Sequence, residues 1–449
     1  MSTRQVFLLL VIVSASYLFS AVSINAQQKN DDQTISPTEM KEIIELLCGH
    51  LEKTYIYPEN VEKIRAYLNN NFENGTYKKL TNPGDFAFQL DKELKTITND
   101  QHMGIAYNPK MAADIASDPS GDYYTAEIVD GLKQTNYEFR NLKILEGNIG
   151  YLDLREFCPL KYAGETAAAA MNFFANCDAL IIDLRYNGGG SDDMVQFLLS
   201  YFFDSEVEFS TSYTRKTNSY YQSRTFSIVP GKKLTNTLLY ILTSKSTFSA
   251  AEAFSYNLKA LKRGIIIGEK TRGGENPVEI LAIKNKYVVR ISSEKLLTSI
   301  TNANPRWEGI GIRPDIEIDA FKALSTAHIE ALKKLSAKTD KENIKQKYQW
   351  IIDGVKARLN PYKVDKNILE SYEGTFREYK ISIIEGELYY QRGDRIRMKM
   401  IPFAADSFII ENAENLHVKF IKIDNKIIEL NIVFDDGRNV KCPKSDTQK

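Results

Sequence analysis

The chain has 449 residues, too many for one ordinary core, so two or three domains are expected. Its 43% hydrophobic and 26% charged content is that of a soluble globular protein, and 58 basic against 58 acidic residues exclude a polyanion partner, nucleic acid included, recruited by bulk charge. Four scattered cysteines, Cys48, Cys158, Cys177 and Cys442, are too few for a disulfide framework and lack the paired spacing of a zinc site, so no metal or other cofactor is expected.

Arg4, an apolar run from Val6 to about Val22 and the small residue ending Ile24-Asn25-Ala26 read as a signal peptide over 1–26. The mature protein is then secreted or periplasmic, with no stable membrane insertion. The alternative is an uncleaved anchor, since the run is near the lower length limit for spanning a bilayer. Ser36-Pro37-Thr38-Glu39 opens a helix, and Ile43, Ile44, Leu47, Leu51, then Val61, Ile64, Leu68, then Phe86, Leu90, Leu94 give three helical faces. His102 follows them at a junction before extended Ile105-Ala106-Tyr107; it is either incidental there or presented to a neighbour. Residues 108–145 show little periodicity and read as a connector with two strands at most.

From Gly150 strands and helices alternate. The strands are 150–154, 179–184, 238–242 and 264–268, and the helices 165–175, 194–203 and 250–262, a pattern that predicts right-handed crossovers and a largely parallel sheet. Two stretches leave the carboxyl ends of its strands, where such sheets bind ligands. Asp183-Leu-Arg-Tyr-Asn-Gly188-Gly189-Gly190 is either an oxyanion- or peptide-binding loop or a tight turn. At Ser249-Ala-Ala-Glu252 a serine opens an alanine-rich helix, either as a helix cap or as a nucleophile placed where helix-end amides favour negative charge. Strands 277–283 and 287–291 pair as a hairpin, and Glu308 stands in a glycine-punctuated loop, solvated or orienting a histidine. Residues 320–357 are helical. From Tyr372 alternating segments separated by Glu385-Gly386, Asp424-Asn425 and Asp436-Gly437 form an antiparallel β domain or small barrel, in which His417 is a surface or packing residue, as His328 is on its helix.

Taken together, Asp100-Gln-His102, Asp183 to Gly190, Thr247-Phe-Ser-Ala-Ala-Glu252, Gly268-Glu-Lys-Thr-Arg-Gly-Gly274 and Glu308-Gly-Ile-Gly-Ile-Arg-Pro-Asp315 resemble the serine peptidases that include the C-terminal-processing (tail-specific) proteases, the tricorn protease core and the repeats of interphotoreceptor retinoid-binding protein. The resemblance covers roughly residues 36–320. The processing branch places a lysine base where Gly274 stands, so this chain is similar to the tricorn and retinoid-binding branch instead. That implies an α/β fold with a mostly parallel crotonase-like sheet, Ser249 as nucleophile, His102 as general base and Glu308 as the acidic partner. Gln101 holds the place of a serine that bridges histidine and glutamate in tricorn-like enzymes; either Gln101 bridges by hydrogen bonds or Asp100 orients His102 directly. The implied oxyanion hole is the Ala250 amide with one from the glycine loop, Gly189 or its neighbour Gly188. Fewer than 50 residues separate His102 from Gly150, leaving no room for a PDZ domain of about 80–100 residues.

The expected organisation is therefore a signal peptide (1–26), an N-terminal helical domain (27–107), a peptidase core (108–320), a helical linker (321–362) and a C-terminal β domain (363–449). The implied activity is peptide-bond hydrolysis through an acyl-enzyme, on peptide or protein substrates. A non-catalytic binder of apolar ligands or peptides in the same cleft is the competing reading.

Overall fold

The computed structural model describes residues 34–117, 124–297 and 307–445; the segment read as a signal peptide lies outside them. Helix Pro37–Thr54 starts as expected, with the Ser36 hydroxyl accepting from the Glu39 amide (3.2 Å) and proline in its first turn. Helices Val61–Glu73 and Pro83–Thr98 follow, the latter capped by Asn82 and stopped by Asn99 in the left-handed region. That stop turns the chain through Asp100–Met103 into strand β1 (Gly104–Tyr107). The three helices do not close a core alone. β1 pairs antiparallel with β10 (Tyr287–Ser292), itself paired with β9 (Val278–Ile283), and Ile283, Tyr287, Val289 and Ile291 join Leu47, Leu51, Ile64, Phe86 and Leu90 in one apolar cluster. The predicted hairpin of 277–291 thus belongs to the same core as the N-terminal helices.

The connector expected over 108–145 is instead two helices, Pro109–Ser117 and Ala126–Gln134, and one strand, β2 (Phe139–Leu145). Before that strand Asn136, Tyr137 and Glu138 all have positive φ. The alternation from Gly150 is present as β3 (Ile149–Leu154), β4 (Ala179–Asp183), β7 (Leu238–Thr243) and β8 (Ile265–Gly268), with β12 (Ile316–Glu317) added. Their six-stranded sheet runs β12-β8-β7-β4-β3-β2, and the β4–β7, β7–β8 and β8–β12 pairs are parallel. Helices Leu160–Phe173, Asp192–Ser200 and Ala250–Ala260 supply its core partners, among them Ala167, Met171, Leu198 and Phe254 against Leu180, Ile182 and Ile241. A second small sheet was not foreseen: β5 (Glu208–Thr214) pairs antiparallel with β6 (Ser219–Arg224) and with β11 (Glu294–Leu297).

Leu145–Ile149 and Leu324–Lys449 make a second compact unit. It contains most of helix Ala320–Ala337, helix Glu342–Leu359 and eight strands, from β13 (Gly374–Phe376) to β20 (Asn439–Pro443), each bonded to the next in sequence. A bridge between Phe376 and Lys444 closes this sheet into a barrel. Tyr372, Phe376, Phe408, Phe420 and Leu430 fill its interior. His417 stacks on Trp350 and His328 bonds the Glu146 carbonyl at 2.8 Å, so both are packing residues.

Candidate active site

At the end of β7 the chain turns through Ser244–Phe248. The turn is fixed by the Ser244 amide donating to Thr247 Oγ1 (2.9 Å) and that hydroxyl donating to the Leu184 carbonyl (2.8 Å). Ser249, next in line, has φ 54° and ψ −123°, a strained conformation for a residue with a side chain. Its Oγ lies 2.8 Å from His102 Nε2. The turn is braced by Glu252, which is fully buried. Its carboxylate accepts from the amides of Ser249 (3.0 Å), Gly273 (2.8 Å) and Gly274 (2.7 Å) and from Thr271 Oγ1 (2.5 Å). Burial raises its pKa to about 7 against those stabilising bonds. Glu252, three residues after the serine that opens the helix, is therefore also a strut tying the serine turn to the 271–274 loop.

His102 comes from the junction after helix Pro83–Thr98. Its ring is buried, lies 4.5 Å from that of Phe248, and Phe248 in turn carries the Arg272 guanidinium at 4.7 Å. Burial, then the charges of Arg290 and Arg272, push the histidine pKa down to about 3, so the imidazole is neutral. Gly274 makes this packing possible. A β-carbon there would fall 2.2 Å from Phe248 Cε2 and 2.7 Å from His102 Cε1, so the histidine and phenylalanine rings take up the space that a lysine at this position would need.

Behind the ring, His102 Nδ1 and Asp100 Oδ2 are buried without hydrogen-bond partners, while Asp100 Oδ1 accepts from the amides of His102 (3.0 Å) and Met103 (3.2 Å). Glu308 Oε2 accepts from the amides of Glu275 (2.7 Å) and Asn276 (3.1 Å) and from Asn276 Nδ2 (3.2 Å). Glu308 Oε1 accepts from the Gln101 amide at 3.2 Å. Gln101 thus meets Glu308 through its backbone; the expected side-chain bridge is not formed, because Nδ1 of the histidine has no partner at all. Burial, with the Asp100 charge next, raises the Glu308 pKa to about 7, and burial raises that of Asp100. Donor atoms of Asp100, His102 and Glu308 lie within 4.8 Å of one another.

The glycine loop abuts the serine: a β-carbon on Gly189, whose φ is 112°, would fall 2.7 Å from Ser249 Cβ and 3.2 Å from the Ala250 nitrogen. The amide of Gly189, expected as an oxyanion donor, instead donates to Asn187 Oδ1 (2.8 Å), so its contribution is the missing side chain. Among the described residues the amides of Gly188 and Ala250 have no internal acceptor. The loop is anchored by Asp183, which accepts from Tyr151 Oη (2.8 Å) and from Arg185 Nε (2.8 Å) and Nη2 (2.5 Å). A cleft of about 370 Å³ lined by Trp350, Glu414 and Asp435 belongs to the second unit and shares no residue with this constellation; the site is assigned by chemistry, not concavity.

A parallel sheet presenting a strained serine against a neutral histidine, with a glycine loop alongside, marks the chain as a serine-type peptidase. Two family models match it, Peptidase family S41 over residues 148–318 and the N-terminal domain of that family in eukaryotic interphotoreceptor retinoid-binding protein over residues 36–142. Together they take in well over half of the sequence: the chain belongs to peptidase family S41. It is similar to a candidate peptidase from Parabacteroides merdae ATCC 43184, at 19% identity over 67% of this chain and 96% of that one, with a TM-score of 0.44. It is also similar to the photosystem II D1 C-terminal processing protease (15%, 63% and 93%, TM-score 0.39) and to the tricorn protease (12%, 71% and 37%, TM-score 0.40). The assignment rests on the family models, not on these distant likenesses.

Proposed function

We propose that the protein hydrolyses peptide bonds through an acyl-enzyme on Ser249, with His102 as general base. The observation that carries this is the 2.8 Å contact between His102 Nε2 and Ser249 Oγ, made by residues from separate elements. The serine proton passes to Nε2 as Oγ bonds the scissile carbonyl carbon. The oxyanion is received by the amide of Ala250 and one of the glycine loop, for which Gly188 is better placed than the engaged Gly189. Collapse expels the amine with the proton from Nε2, and water repeats the sequence to release the acid. Asp100 and Glu308 stand where the transient imidazolium needs negative charge. The substrates are peptides or proteins, and the first 26 residues direct the enzyme out of the cytoplasm. No helix among the described residues is long and apolar enough to cross a membrane.

The test is a fluorophosphonate active-serine probe with peptide hydrolysis measured in parallel. Wild type should label and cleave, and Ser249→Ala should do neither. His102→Ala should lose about 10⁴-fold or more in kcat while remaining folded. Labelling that persists in Ser249→Ala sinks the reading, and a folded protein with neither labelling nor cleavage favours the ligand-binding alternative.

A further inference from the structure

We propose that Arg272 sets the substrate preference of this site by binding a carboxylate that the substrate carries close to its scissile bond. Arg272 belongs to the loop that Glu252 braces, and its amide donates to the Thr247 carbonyl at 3.0 Å, two residues before the serine. Its guanidinium lies over the ring of Phe248 at 4.7 Å, and that ring packs at 4.5 Å on the imidazole of His102. Phe248 is buried, whereas Arg272 is exposed. Two such contacts laid end to end separate guanidinium from imidazole by at most about 9 Å, under three residues of extended peptide at about 3.3 Å each. A side chain or chain end flanking the cleaved bond is within that reach.

The charge is held there without a counter-ion. Among the described residues the Arg272 guanidinium makes no ion pair and no hydrogen bond; the Phe248 ring is what it rests on. Other arginines of the same unit are clamped by a neighbouring carboxylate through both Nε and Nη2: Arg140 by Glu138, Arg155 by Asp153 and Arg185 by Asp183. Arg272 presents the same planar fork to solvent beside the reacting pair, and that fork matches a carboxylate while its face stays on an aromatic ring.

The effect on turnover rests on the reading of Ser249 and His102 as the reacting pair. Beyond burial, Arg290 and Arg272 both oppose a positive charge on His102. Asp91 and Asp100 act on Arg290 from its other sides, so its charge is partly offset within the protein. That of Arg272 is offset only when an anion arrives. A substrate carboxylate seated on Arg272 therefore does two things: it holds the peptide, and it eases formation of the imidazolium as the serine proton is taken up. Interactions that strengthen in the transition state raise kcat as well as lowering KM.

Binding and turnover are read separately, on full-length protein. The probes are short alanine and leucine peptides with a single Glu or Gln stepped through them, each made with a free and an amidated carboxyl terminus. On Ser249→Ala, which leaves peptides uncut, fluorescence anisotropy should show a carboxylate peptide bound at least about tenfold more tightly than its amide twin. Added salt should narrow the difference. In wild type the same pair should differ at least about tenfold in kcat/KM, with part of the gain in kcat. Whether the Glu or the free terminus carries the effect identifies the source of the carboxylate. Arg272→Gln, shown folded by a urea melt, should bring both ratios close to one, and Arg272→Lys, which keeps the charge without the fork, should keep part of them. Equal handling of acid and amide peptides by Ser249→Ala and wild type, or a ratio that survives in Arg272→Gln, would leave Arg272 as mere cover for the Phe248 ring and overturn the proposal. Carboxylate preference in binding that depends on Arg272, with no peptide cleaved, would count against the hydrolytic reading and leave the carboxylate site standing.

Discussion

Replacing Gly274 with alanine tests whether this position must lack a side chain for the histidine to work. The added methyl would lie 2.2 and 2.5 Å from two ring carbons of Phe248 and 2.7 Å from His102 Cε1, whereas carbon atoms in contact sit about 3.5–4.0 Å apart. One or both rings must therefore retreat by about 1 Å. Overpacking of this kind costs about 1–3 kcal/mol of stability. The larger effect falls on catalysis, because a displacement of about 1 Å in a reacting group costs on the order of 100-fold. The Ser249–His102 contact of 2.8 Å has little slack to absorb it. The assay is kcat/KM on a fluorogenic peptide beside a urea melt, with Ser249→Ala as the inactive control. Gly274→Ala should keep a cooperative melt with a lowered midpoint and lose about 100-fold in kcat. Wild-type kcat in the alanine variant would refute the steric argument, and so would a loss explained entirely by the unfolded fraction.

Ser249→Gly should abolish hydrolysis yet stabilise the fold by about 1–2 kcal/mol, since glycine accepts φ 54° without strain; a lower melting midpoint would contradict this. Because His102 is neutral down to about pH 3, the acid limb of kcat/KM should not follow an ordinary histidine, but should rise through about pH 7 as Glu308 ionises. Glu308→Gln should remove that limb and lower the plateau. The same shift fixes a sign in stability. Glu308 has a folded pKa raised from 4.5 to about 7, so its contribution is full below about pH 4.5 and is lost as pH rises through 7. Glu308→Gln should therefore gain stability relative to wild type between pH 5 and 8, as measured by urea melts across that range. Gly189→Ala should lose most of its activity, because its methyl would meet Ser249 Cβ at 2.7 Å.

What could be read in advance followed from periodicity and from the order of motifs. The β3, β4, β7 and β8 strands are short apolar runs separated by helices, and the barrel alternates between regular turns, so both announced themselves. Helices Pro109–Ser117 and Ala126–Gln134 did not, since each has only nine residues and Asp118-Pro119-Ser120-Gly121 interrupts them. β6 was missed because it has no apolar face, Ser219–Arg224 being exposed along nearly its whole length, and β5 because serines and threonines separate its two core-facing aromatics, Phe209 and Tyr213. In the site, Ser249, His102 and Glu308 were legible as residue types in order, and the structure brings them together. Where an amide points is set by loop conformation, which side-chain chemistry does not encode. Hence Gly189 turned out to be engaged by Asn187, and Gln101 to act through its main chain. The bracing by Glu252 likewise depends on residues 271–274, distant in sequence until the loop closes on it.

The way β1 joins the β9–β10 hairpin has a consequence for when the enzyme can first act. His102 precedes Ser249 by 147 residues, and the strand that carries the chain onward from the histidine finds its sheet partner only at 287–290. A chain still emerging from the ribosome, even one that has completed the serine turn, lacks the sheet partner of the strand that follows its base until those later residues arrive. Closing so long a loop is slow. Hydrolytic competence is thus a late event in the history of the molecule, and a chain that loses the hairpin to a single cut would fall silent with every candidate catalytic residue still present.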